Sequence, residues 1–88
     1  MATKQFKIGE YAIGGIIKVT ISNSMITIQA LDYNSKEVLM SNVYVMTESS
    51  YWGMKDFLNE LTSSYYAEMV MEYIEEKSNL SKQLFRNY

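Results

Sequence analysis

The 88-residue chain has no cysteine, no histidine and no proline, and its one arginine is Arg86. Without cysteine there is no disulfide and no thiolate nucleophile. Without histidine there is no imidazole to move protons near neutral pH. A zinc site is excluded with them, because an all-carboxylate ligand set suits only hard ions. No apolar run approaches the roughly 20 residues that cross a bilayer. The opening Met1-Ala2-Thr3-Lys4 starts no hydrophobic leader, so a cytoplasmic protein is expected. The net charge is −2 and no basic patch is visible. Neither direct nucleic-acid binding nor membrane association is therefore expected.

What is present is apolar and aromatic. Hydrophobic residues make up 48% of the chain and charged residues 20%, with eight Tyr, three Phe and one Trp. That is the composition of one globular domain, residues 1–88. A chain this short buries only about 60% of its unfolded surface. With disulfides and zinc excluded, dense aromatic packing or oligomerisation must make up the difference. A homodimer or higher homo-oligomer is expected, through the helical region or the fourth strand.

The apolar pattern changes period once, near Met46. Residues 1–46 read as a β-sheet half, 49–78 as a helical half and 79–88 as a C-terminal tail. In the first half, residues 16–22 and 25–31 flank Asn23-Ser24, a two-residue hairpin turn. That turn pairs Ile21 with Ile26, Val19 with Ile28 and Ile17 with Ala30 on one face. Thr20 then pairs with Thr27 and Lys18 with Gln29 on the other. A one-residue slip would bury Lys18. Gly14-Gly15 is a second turn signal and predicts a first strand near residues 10–13, with a bulge at Gly9-Glu10. Asp32–Lys36 is a polar turn, and a fourth strand runs from about Glu37 to Met46 with both faces mostly apolar. Such a strand is central, or covered on both sides by helix or partner. The expected fold class is α+β: an N-terminal antiparallel β-meander of three to four strands, followed by one long or two shorter α-helices.

The helical half starts after Ser50, a candidate N-cap. Met54, Leu58, Leu61, Tyr65 and Met69, extended by Tyr66, Val70, Tyr73 and Ile74, form its apolar stripe. One helix over 50–77 would be about 42 Å long, against about 23 Å for a seven-residue strand. Either it breaks near Thr62–Ser64, with Ser64 capping a second helix, or the overhang packs on another subunit.

Four features carry candidate chemistry. Asp56, Glu60, Glu68, Glu72, Glu75 and Glu76 form an acidic stripe with no Lys or Arg between them. Like charges four apart repel, so the stripe is either a contact surface for a basic partner or the solvated face of an amphipathic helix. Tyr51, Trp52, Tyr65, Tyr66 and Tyr73, with Phe57, are interface or stacking candidates, or core. Adjacent Tyr65 and Tyr66 cannot both point the same way. The Gly9–Gly15 segment precedes no helix and lacks the Lys-Ser or Lys-Thr ending of a P-loop, so it reads as turn and bulge. Lys82 and Arg86, four apart beside Ser81, Gln83 and Tyr88, are the possible anion-binding groups. No metal, cofactor or catalytic residue is assigned. Paired carboxylates hydrolyse glycosides in some enzymes, but 88 residues leave little room for a sugar groove, and a non-enzymatic protein is expected.

The stretch Phe6-Lys7-Ile8-Gly9-Glu10-Tyr11-Ala12-Ile13-Gly14-Gly15-Ile16-Ile17-Lys18-Val19 resembles the start of small phage and prophage accessory proteins. The later Asp56-Phe57-Leu58-Asn59-Glu60-Leu61-Thr62-Ser63-Ser64-Tyr65-Tyr66-Ala67 resembles them too. The resemblance implies an anti-defence, anti-CRISPR-like inhibitor in the host cytoplasm that binds a basic surface of a bacterial immune effector. It assigns no roles to individual residues. The alternative is an oligomeric sponge that sequesters a small nucleotide signal, with two subunits pooling Lys82 and Arg86 around phosphate.

Overall fold

The computed structural model describes residues 1–78. It contains four strands, β1 (Ala2–Lys7), β2 (Gly15–Ile21), β3 (Met25–Asp32) and β4 (Val38–Val45). Two helices follow, α1 (Tyr51–Leu61) and α2 (Ser64–Lys77). The strands form one antiparallel sheet in the order β1-β2-β3-β4. The fold is therefore α+β, a meander followed by a helical pair. Among the described residues no helix is long and apolar enough to cross a membrane.

The central hairpin has the register its pattern predicts. Ile21 pairs with Ile26, Val19 with Ile28 and Ile17 with Ala30, and Lys18 lies opposite Gln29. All six apolar residues are buried. They pack with Met54, Phe57, Leu58 and Leu61 of α1 and Ala67, Val70, Met71 and Ile74 of α2. The opposite face carries Lys18, Thr20, Thr27 and Gln29, which pair across the hairpin and stay half-exposed. Among the described residues no polar or charged residue is buried.

The first strand is displaced from its expected place. Ala2–Lys7 pairs with β2, with Phe6 opposite Ile17. Gly14-Gly15 does not close a two-residue hairpin. Instead residues 8–14 form a loop with a 3₁₀ turn at Gly9–Tyr11. The loop is tied to the end of α1: the Ile13 N–H donates to the Leu61 carbonyl at 2.8 Å, and the Thr62 hydroxyl donates to the Tyr11 carbonyl. Hydrogen bonds to the helix end thus replace the ladder that a tight turn would have made. Gly14 has φ +74, and a Cβ there would lie 2.5 Å from the Leu31 carbonyl oxygen.

The fourth strand is not central, and helix does not cover both of its faces. It is the sheet margin, and seven of its eight residues are exposed. The helical layer stops short of it, reaching only Tyr44, whose ring lies 6.5 Å from that of Phe57. Gly53, in the first turn of α1, makes room there: a Cβ on it would sit 3.3 Å from the Tyr44 ring edge.

The helical half breaks in two. Thr62 and Ser63 are extended, and α2 starts at Ser64, with Ser63 at the N-cap. Neither Ser50 nor Ser63 caps its helix through the side chain. The two-residue break resets the helical phase, so the expected stripe does not run through it. Met54, Leu58 and Leu61 are buried as expected, but on α2 the buried set is Ala67, Val70, Met71 and Ile74. Tyr65 and Met69, assigned to the apolar stripe by spacing, are 70% and 40% exposed. Tyr65 and Tyr66 do diverge: Tyr66 is half-buried.

Gly14→Ala is expected to destabilise the fold by about 2 kcal/mol or more, since it combines a left-handed backbone with a backbone clash. Gly53→Ala meets only a movable ring on an open margin and gains helix propensity, so it should stay within about 0.5 kcal/mol of the parent. Denaturant midpoints of the two variants check the contrast.

Candidate functional site: the outer face of the helical pair

Sequence spacing suggested one acidic stripe; the break divides it. Asp56 and Glu60 lie on the side of α1 toward β4, where their charges, together with burial as the main cause, hold the Tyr44 phenol above its usual pKa. Glu68, Glu72 and Glu76 follow one another at four-residue spacing along α2, all exposed. Glu75 is half-buried and not part of that exposed line.

Between the two groups stands Lys55, one residue ahead of the acidic run. Its Nζ lies 3.3 Å from Glu68 Oε1 and 5.6 Å from the centre of the Trp52 ring. The hydrogen bond to Glu68 is the main reason the Lys55 ammonium is held above its usual pKa. This pair joins α1 to α2 across the outer surface and neutralises one end of the α2 acidic line. Glu76 has Lys77 at 3.8 Å. Glu72 is therefore the acidic centre of the α2 face. Sequence spacing missed the Lys55–Glu68 pair because the two residues are thirteen apart and meet only when the chain folds back at Thr62-Ser63.

The aromatic candidates sort by what they touch. Tyr73 packs edge-on against Phe6 at 5.7 Å, with Lys4 above both rings. Tyr66 lies 5.6 Å from Tyr11 and covers the loop before β2. Tyr51 is half-buried and meets Trp52 edge-on at 5.0 Å. These three support the chain's own fold. Trp52, 49% exposed, and Tyr65 are the two that reach outward. Tyr65, Glu68, Met69 and Glu72 line a shallow depression of about 330 Å³ on α2.

The carboxylates do not converge: among the described residues no three of them are placed to hold a metal ion. The site is thus a surface with a line of negative charge, an exposed phenol and an exposed thioether. Such a surface is complementary in charge to a cationic, partly apolar one. Lys82 and Arg86, the anion-binding candidates, lie outside the described residues. No protein-family model, curated protein or solved structure matches the chain significantly.

One further carboxylate is held in a set of local hydrogen bonds. Asp32, at the turn into β4, accepts from the N–H groups of Ser35 at 2.8 Å and Asn34 at 3.1 Å and from the Ser35 hydroxyl at 3.1 Å. These bonds, the Ser35 N–H first, hold its carboxyl below the usual carboxylate range. A carboxyl depressed in the folded state contributes stability above its unfolded pKa of about 4 and loses it as pH falls through the lower folded value. Asp32 should accordingly titrate below its usual value in an NMR pH series. Asp32→Ala should weaken the fold at neutral pH and flatten the acid limb of the stability profile.

Proposed function

We propose that the chain is a non-enzymatic phage or mobile-element protein that binds and inhibits a host protein, a bacterial immune effector, in the host cytoplasm. The observation that carries this reading is the outer face of α2, where Glu68, Glu72 and Glu76 run beside exposed Tyr65 and Met69. Like charges at four-residue spacing work against an isolated helix, and Lys55 and Lys77 offset only the outer two, Glu68 and Glu76. A Tyr left 70% exposed, touching only the edge of the Tyr66 ring at 5.0 Å, contributes little to the core. Both are features of a contact surface, and their sign selects a basic partner. The resemblance of residues 6–19 and 56–67 to phage accessory proteins supplies the biological setting. On this reading the protein occludes a basic groove of its target, and its charges chiefly raise the association rate.

The experiment is affinity capture from host lysate by the parent chain and by a Glu72→Lys, Glu76→Lys variant, at about 0.1 M and 1 M salt, where the Debye length falls from about 10 Å to about 3 Å. The parent should retain a discrete host protein at low salt and lose most of it at high salt. The variant should lose it at both, while keeping its denaturant midpoint within about 0.5 kcal/mol, because exposed charges contribute little to folding. Equal capture by parent and variant at both salts would overturn the reading. Native mass spectrometry of the purified protein tests the nucleotide sponge: a retained small anion, with no protein captured, would favour it.

A further inference from the structure

We propose that β4 is a self-association edge: two copies of the chain pair their β4 strands antiparallel about a two-fold axis, joining two four-stranded sheets into one of eight strands. The inference is independent of the partner proposed above, because α2 packs over β1 and β2, where Tyr73 meets Phe6, and its outer face stays open in such a dimer.

The two margins of the sheet differ in character. β1 carries Lys4 and Lys7 in six residues, and charged side chains, lysine above all, are a common guard against edge pairing. β4 is eight residues, Val-Leu-Met-Ser-Asn-Val-Tyr-Val, with no charge, glycine or proline. Its outward-facing backbone groups are open from Ser41 to Val45, while the ladder to β3 is irregular beside Leu39, between the Ala30–Met40 and Leu31–Val38 pairs. The Met46 N–H donates to the Ser24 carbonyl at 2.9 Å. By antiparallel alternation Tyr44 and Asn42 turn their N–H and C=O groups toward β3, and Val45, Val43 and Ser41 turn theirs to the open edge.

The side chains point the same way. Val38, Leu39, Val43 and Val45 are each about half exposed, and Met40 is 37% exposed. Over the two faces they expose on the order of 400 Å², comparable to the largest apolar patch of a soluble monomer, which is often functional. A strand without charge places no like charges opposite one another when it meets its own copy, which a two-fold contact otherwise risks. Centring the axis on Asn42 pairs the regular part of the strand, Met40 to Tyr44. Ser41 then faces Val43 of the second copy on the open side, Met40 faces its Tyr44 on the helical side, and Asn42 faces Asn42. A centre one residue away would set Asn42 against Met40. An edge contact of this size is at the low end for stable association, so the dimer should dissociate in the micromolar range.

Sedimentation equilibrium of the full chain between about 1 and 500 μM is expected to show a monomer–dimer equilibrium with a micromolar dissociation constant. Val43→Lys, which sets an ammonium beside the two-fold axis, should raise that constant at least tenfold; Thr3→Lys on β1 should leave it unchanged. The chain has no cysteine, so a single introduced one reports only on contacts between copies. Asn42→Cys should oxidise to a disulfide-linked dimer, because facing residues at a non-hydrogen-bonded pair lie about 4.5 Å apart, within disulfide reach. Thr3→Cys should not. A monomer at every concentration would overturn the proposal. So would a dimer that survives Val43→Lys, or one in which Asn42→Cys fails to cross-link; the Asn42→Cys arm decides the matter even where Val43→Lys does not fold.

Discussion

The apolar face of the β2–β3 hairpin is the constraint on which the rest depends. Ile17, Val19, Ile21, Ile26, Ile28 and Ala30 project from one side of two paired strands, and two strands alone cannot hide them. The two helices that follow the sheet cover that face. Each helix contributes four buried side chains. The polar back of the same hairpin, Lys18 with Gln29 and Thr20 with Thr27, makes the choice of face unambiguous. A one-residue slip would exchange the two faces entirely.

Covering a short sheet with a 27-residue helical segment requires a break, and the chain breaks at Thr62-Ser63, where side chains compete for backbone hydrogen bonds. The break is held from below. Ile13 and Tyr11 of the loop before β2 bond to Leu61 and Thr62. The N-terminal loop and the helical joint therefore form one unit, which explains why Gly14-Gly15 serves this loop and not a tight hairpin. The same break determines the surface chemistry. It turns Tyr65 and Met69 outward, separates Asp56 and Glu60 from the α2 carboxylates, and brings Lys55 to Glu68.

The helical pair is centred on the hairpin, and its width leaves the sheet margins different. β1 is overlapped by α2 through Phe6 and Tyr73 and bears lysines on its edge. β4 meets the helical layer only through Tyr44, and seven of its eight residues are exposed. There burial, and after it the nearby Glu60 and Asp56, keep the Tyr44 phenol in its neutral form. Two surfaces with separate chemistries result, an uncharged strand margin and an acidic helical face.

The sequence by itself determined the hairpin register, the order of sheet and helices, and the divergence of Tyr65 from Tyr66. Each follows from local periodicity, with two-residue alternation in strands, 3.6-residue repetition in helices, and turn formers between them. The tertiary structure decided what periodicity does not encode. Which residues of the first twelve pair with β2 depended on backbone bonds to a helix end some fifty residues away. Whether β4 is central or marginal depended on how far two helices reach across a sheet. Which carboxylates stand together depended on a phase reset of two residues. Those outcomes are set by contacts between segments distant in the chain, and such contacts exist only once the hairpin face has been covered.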